Sequence, residues 1–328
     1  MKKLILLTFL FILLSPTQLF AAEKLFYFFN NEYGLSSFKS NSRKIDIVAP
    51  QIYVVDDQLK IDDVQSKKIL QEIKKKKVDA MPLVVNKGFS KPLMTRLLND
   101  EKAQDEIIKF LIKEGKKKGY IGWQFDFENI NHLDRDLYTK FVAKTYDALK
   151  EEGFKFSVAV VVRSDDYNPN STIQDWSSAY DYEKLSENSD FLSLMTYDDP
   201  NSIGPVASIP YVTGVLDYMI TKAPSNKLSL GIPLYCWKWQ DGIRAGSTTR
   251  KLAQKAYIKG KNRIKYFDQY YGAELYSYKI GDLPVDIWCE NDKSVAMKLK
   301  LINDYDLRGF SAWALGQDDK VLWKALIK

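Results

Sequence analysis

The stretch "GYIGWQFDFENI", residues 119–130, places polar and aromatic side chains at strict two-residue spacing. A β-strand sends successive side chains to opposite faces. Trp123, Phe125 and Phe127 therefore share one face with Ile121, and Gln124, Asp126 and Glu128 share the other with Gly122. Side chains two apart on one face lie about 6.5–7 Å apart along the strand, within mutual reach through bent rotamers. Two carboxylates that close resist joint ionisation, so one pKa rises. Glu128, nearer the strand's C-terminal end, is the candidate general acid, kept protonated near neutral pH. Asp126 stays charged or shares the proton and orients a reacting group. Gln124 can hydrogen-bond Asp126 without adding charge.

A single strand must hold this row, and the chain supplies seven more. "KLFYFF" (24–29), "KIDIVAPQIYVV" (44–55), "VDAMPLVV" (78–85) and "YIGWQFDFE" (120–128) are followed by "KFSVAVVV" (155–162), "DFLSLMTYD" (190–198), "LSLGIPLY" (228–235) and "GFSAWALG" (309–316). Amphipathic helix patterns separate them. Several start after Asp and end in Lys and Gly, the expected caps. Alternation of this kind predicts parallel strands with right-handed crossovers, and eight units predict a closed α/β (β/α)8 TIM barrel. A doubly wound open sheet is the competing architecture, but the Gly-rich phosphate turn it calls for is missing. In a barrel the aromatic face of 120–128 packs under the helices and the polar face points inward, rising to the C-terminal rim where barrel enzymes keep their catalytic groups. Burying two carboxylates costs several kcal/mol unless they are partnered. The inward residues of the other strands read as mostly apolar, which favours function over a structural ion pair.

The remaining features bound the function class. Of 328 residues, 45% are hydrophobic and 13% aromatic, enough for one large core. The formal charge of +6 is mild and spread along the chain, so no nucleic-acid stripe is expected. Lysine runs at 74–77 and 116–118 read as solvated helix ends. "MKK" followed by "LILLTFLFILL" and "SPTQLFAAEK" reads as a signal peptide over 1–22, leaving a catalytic barrel over 23–328 that is exported, periplasmic or secreted. An uncleaved anchor is the alternative. No later segment is apolar enough to span a bilayer. Cys236 and Cys289 are the only cysteines, and an exported pair is a candidate disulfide. The single histidine, His132, argues against a His-based zinc cluster. Residues 236–288 alternate like short antiparallel strands and read as a small insertion between the seventh strand and the last helix.

Four segments together resemble the family 18 glycoside hydrolases, the chitinase-like barrels. "GWQFDFE" resembles the family's DxxDxDxE strand, "LMTYD" (194–198) its sixth strand, "LGIPLY" (230–235) its seventh and "RGFSAWALGQDD" (308–319) its eighth. The C-terminal segment is similar to the spore-cortex and cell-wall branch. Ile121 and Gln124 stand where the first two Asp of the motif are usual, and Cys236 where Gly is usual. An amide at the second of those positions also resembles the cell-wall branch.

The resemblance implies substrate-assisted retention, an exception to the two-carboxylate nucleophile scheme. Glu128 is then the acid/base, with Asp126 and Tyr197 positioning the substrate's N-acetyl group. The substrate carries N-acetylglucosamine, in peptidoglycan or, alternatively, chitin, and no metal or cofactor is needed. Trp313 would floor the sugar site and Asp198 would join Tyr197, with Met195 packing beneath. Gln124 is assigned to the substrate site as the lowest rung of the row. Gln51, Tyr53 and Tyr235 are candidates to line the cleft, with Trp288, and with Trp237 and Trp239 at an extended subsite. A non-catalytic carbohydrate-binding barrel is a third reading, disfavoured by the intact Glu128.

Overall fold

The computed structural model describes residues 22–64, 67–168 and 176–326. The expected signal segment lies outside the described residues, apart from Ala22 at its end. The strand that carries the carboxylates follows the helix Glu101–Lys118, which is capped by the Asp100 side chain and stopped by Gly119 in the left-handed conformation, φ 71°. Gly122 then opens the strand. A Cβ there would lie 2.1 Å from the Lys155 carbonyl oxygen, so only glycine lets the next strand approach. Trp123, Phe125 and Phe127 are completely buried on the helix side. The Phe125 ring centroid is 4.8 Å from that of Phe156 and 5.4 Å from that of Phe141. Burial of each such side chain contributes about 1.5–3 kcal/mol, which fixes which face turns inward.

Eight strands form the barrel: β1 (Glu23–Phe28), β2 (Ile47–Val55), β3 (Leu83–Asn86), β4 (Gly122–Asp126), β5 (Lys155–Val161), β6 (Phe191–Met195), β7 (Leu228–Pro233) and β8 (Gly309–Leu315). Each pairs in parallel with the next in sequence, and β8 pairs with β1, closing the ring. The expected (β/α)8 barrel is the observed one.

The interior is divided. Leu25, Ile47, Met81, Leu83 and Phe191 make an apolar half, as expected. The other half carries Gln124, Ser157, Ser193, Ser229 and Ser311, all buried. The expectation of a mostly apolar interior is corrected there. Serines are small enough to share the space beneath a carboxylate and polar enough to accept from an amide N–H.

Strand β2 departs from simple alternation. Gln51 pairs with Leu83 and Tyr53 with Val84, so one residue is extra between them. This bulge turns Tyr53 to the helix side, where it is completely buried. Its hydroxyl lies 3.0 Å from that of Tyr120, and its ring packs edge-on against Trp123.

Residues 236–289 leave the barrel after β7 as a five-stranded antiparallel sheet with one helix, Arg250–Lys259. Cys236 and Cys289 are disulfide-bonded across the strands that begin and end this segment. Arg250 joins it to the loop after β8 through Asp319, at 2.8 Å. The cysteines are 53 residues apart. In the chain-entropy account, closing such a loop stabilises the folded state by about 4 kcal/mol. Cys236→Ser/Cys289→Ser is therefore expected to unfold at distinctly lower temperature than the native chain. Reductant should lower the native midpoint towards that of the variant and leave the variant unmoved, as read by circular dichroism.

Candidate active site

The polar row is continuous from the barrel's middle to its rim. At the bottom, the Gln124 Nε2 donates to Ser157 Oγ at 2.6 Å and Ser193 Oγ at 2.9 Å. Ser193 and Ser229 each contact Ser311, at 3.0 and 2.7 Å. Tyr27, on the inner face of β1, bonds Ser193 and Ser311 as well. The amide nitrogen is thus committed to serines, where a bond to Asp126 was expected, and the Oε1 has no hydrogen-bond partner among the described residues. Gln124 is completely buried and supports the floor from below; it does not line the cavity.

Asp126 is almost fully buried one rung higher. Removal from water pushes its carboxyl above the usual carboxylate range. Glu128 follows just beyond the end of β4. Asn86, at the end of β3, brackets its backbone: the Asn86 Oδ1 accepts from the Glu128 N–H, and the Asn86 Nδ2 donates to the Glu128 carbonyl, both at 3.0 Å. Glu128 is pushed well up, first by burial, then by the nearby charges of Asp126 and Asp198. Among the described residues, neither Asp126 nor Glu128 forms an ion pair with a basic side chain.

Above the ladder opens a cavity of about 770 Å³, within the usual range for small-ligand sites. Glu128, Met195, Tyr197, Asp198, Tyr235, Trp237 and Trp313 line it. Trp313 is held by two aromatic neighbours, with Tyr27 at 4.9 Å and Phe29 edge-on at 5.0 Å between centroids. The peptide bond after it, Trp313–Ala314, is cis. Tyr197 owes its position to Gly231 on β7, where a Cβ would fall 2.9 Å from the Tyr197 ring and 2.2 Å from the Leu194 carbonyl oxygen. Asp198 takes a left-handed backbone, φ 58°. Its Oδ1 accepts from the Tyr235 hydroxyl at 2.5 Å, and Trp237 bonds the same carboxylate. Burial raises the Asp198 pKa, while Tyr235, Arg244 and Trp237 oppose the rise.

Other candidates fall elsewhere. Tyr53 lies behind the barrel wall because of the bulge, and Gln51 is half-buried; neither is part of the cavity wall. Trp239 donates to the Gly204 carbonyl at 2.8 Å, and Trp288 packs edge-on against Tyr271; both belong to the core beneath the insertion. Sequence reasoning missed Trp176, Tyr211, Arg244 and Gln317, which line the cavity, and Tyr27 and Asn86, which hold its parts. Of these, only Tyr27 had a signal, its inward register within "KLFYFF". Among the described residues, no cluster of three His, Cys, Asp or Glu side chains is placed to hold a metal. No described helix is long and apolar enough to cross a membrane.

Comparison with known proteins agrees with this geometry. The glycosylase YvbX of Bacillus subtilis is 32% identical over 278 residues, covering 80% of this chain and 78% of that protein. The cortical fragment-lytic enzyme of Bacillus subtilis is 31% identical over 250 residues, 74% of this chain and 57% of that longer protein. The crystal structure of a chitinase from Chromobacterium violaceum superposes with a TM-score of 0.84 at 25% identity, covering 93% of this chain and 98% of that one. The sequence pattern of the glycosyl hydrolases family 18 matches residues 7–318. A match over nearly the whole length of the chain means that it belongs to the glycosyl hydrolases family 18 and is a glycoside hydrolase.

Proposed function

We propose that the chain is an exported hydrolase that cleaves β-linked N-acetylglucosamine in peptidoglycan by substrate-assisted retention. The observation that carries the chemistry is the pair of buried Asp126 and half-buried Glu128, the latter lining an aromatic-walled cavity, with no ion-pair partner for either among the described residues. Protonated Glu128 donates its proton to the glycosidic oxygen as the bond to the anomeric carbon breaks. The carbonyl oxygen of the substrate's own 2-acetamido group forms the new bond to that carbon, giving an oxazolinium ion. Asp126 and Tyr197 hold the acetamide and stabilise the positive charge that develops on it. The Glu128 carboxylate then takes a proton from water, whose oxygen opens the oxazolinium with net retention. Trp313 supplies an apolar face for the ring being distorted.

Kinship with the cortical fragment-lytic enzyme supports peptidoglycan as the polymer, and the N-terminal apolar pattern supports export. Chitin oligomers are the second reading, favoured by the near-complete overlap with the Chromobacterium chitinase. Assays of the purified protein on peptidoglycan and on chito-oligosaccharides, with products read by mass spectrometry, separate the two. Cleavage of chitin oligomers alone would sink the peptidoglycan preference.

Glu128→Gln keeps the shape and removes the proton donor. It is expected to lower kcat by roughly 10²–10⁴-fold on either polymer, the usual worth of a general acid. Retention of wild-type turnover by this variant would reject the assigned role.

A stability prediction follows from the same burial. The native Glu128 carboxyl holds its proton more tightly than the unfolded chain does, so the folded state binds more protons between the ordinary carboxylate range and the raised pKa. Stability therefore falls as pH rises through that window. Glu128→Gln carries no such penalty. Its unfolding midpoint should exceed that of the wild type at pH 8, and the gap should close near pH 4, as followed by scanning calorimetry.

A further inference from the structure

The cavity wall carries one group that the acid–base chemistry leaves unused. Among the described residues lining the cavity, Arg244 is the only cation. It lies on the insertion strand Ile243–Thr248, opposite Trp239 in register. Gly246 pairs with Lys238, so Ala245 is an extra residue on this strand. Bulges of this kind re-aim the neighbouring side chain. The guanidinium carbon sits 4.5 Å from the centroid of the Trp237 ring. Stacking on an aromatic face holds the head group without consuming its N–H donors. Among the described residues, Arg244 forms no ion pair. Asp198 feels its charge through space, and burial shifts both Asp198 and Glu128 toward their neutral forms. Arg244 is the one positive charge among the described residues of the wall.

We infer that the cavity takes an acidic glycan, with a carboxylate on a substituent of a ring bound beside Glu128, and that Arg244 reads that carboxylate. The inference rests on the glycoside-hydrolase reading and narrows its substrate class. A guanidinium presents paired N–H donors that match the two oxygens of a carboxylate. The O-lactyl group of N-acetylmuramic acid is a carboxylate of this kind once no peptide stem is amide-linked to it. The peptidoglycan reading is thereby narrowed to glycan freed of its stems, the product of an amide-cleaving reaction. A neutral homopolymer of N-acetylglucosamine offers none, so Arg244 would favour the first over the second.

The test separates recognition from catalysis. Three tetrasaccharides serve as probes: chitotetraose, an alternating N-acetylglucosamine–N-acetylmuramic acid tetramer with free lactyl carboxylates, and the same tetramer with the lactyl groups converted to methylamides. Binding is measured by calorimetry to the Glu128→Gln protein with Arg244 intact, with Arg244→Gln and with Arg244→Lys. With Arg244 intact, the free acid should bind roughly tenfold tighter than its methylamide, the usual worth of a charge-assisted hydrogen bond. That ratio should approach one for Arg244→Gln and take an intermediate value for Arg244→Lys. Two results overturn the inference: a ratio near one with Arg244 intact, or a ratio unchanged by Arg244→Gln. A loss shared equally by acid and methylamide also overturns it, because Arg244 would then act on Asp198 or Trp237 and not on the ligand. Hydrolysis of the three probes by the protein with Glu128 and Arg244 intact is scored separately. Failure to cleave any of them rejects the hydrolase reading, while the binding ratio still judges Arg244.

Discussion

One carboxyl group buried on β4 and a second, half-buried just past its end, stand with no ion-pair partner among the described residues, and the rest of the barrel is arranged around that cost. Leaving a carboxylate unpaired in a dry interior is so unfavourable that the group takes up a proton instead. Asp126 and Glu128 are both pushed in that direction. The penalty is useful because a carboxylic acid that keeps its proton near neutral pH can give it to a leaving oxygen. Function here is destabilisation of a charged form, held in place by packing elsewhere.

The packing that holds it is distributed. The aromatic face of β4 anchors the strand against the helices and sets which residues turn inward. Below, the Gln124 amide is locked to a serine network drawn from four other strands. Above, Asn86 grips the Glu128 backbone on both sides. Gly231 clears the space that Tyr197 fills, and Tyr27 and Phe29 brace Trp313. Side chains held by their own hydrogen bonds and neighbours lose little freedom when substrate arrives. The insertion adds Trp237 and Arg244 to the wall and is fastened to the barrel through Arg250 and Asp319.

Much of this was legible in the sequence because the decisive signal is local. Period-two alternation in 120–128 reports the inward row directly, and eight strand signals separated by capped helices report the barrel. What sequence reading lost depends on relations between distant residues. Tyr53 failed because a bulge in β2 reverses alternation after Gln51, and the extra residue is defined only by the pairing with β3. Asn86 and the four serines show no pattern of their own, since each gains meaning only across neighbouring strands. Trp288 and Trp239 could not be told from Trp237, because their burial depends on how the insertion sheet lies over Gly204 and Tyr271.

The protonation state of the ladder is the central claim, and it can be observed without substrate. Carbon-13 labelling of the Asp and Glu carboxyl carbons, with assignment through Asp126→Asn and Glu128→Gln, allows each group to be titrated by NMR. The account predicts that the Glu128 carboxyl keeps its proton past neutral pH. Ordinary titration of Glu128 near pH 4 to 5 would contradict it, because the strand would then hold a charged carboxylate where a proton donor is required.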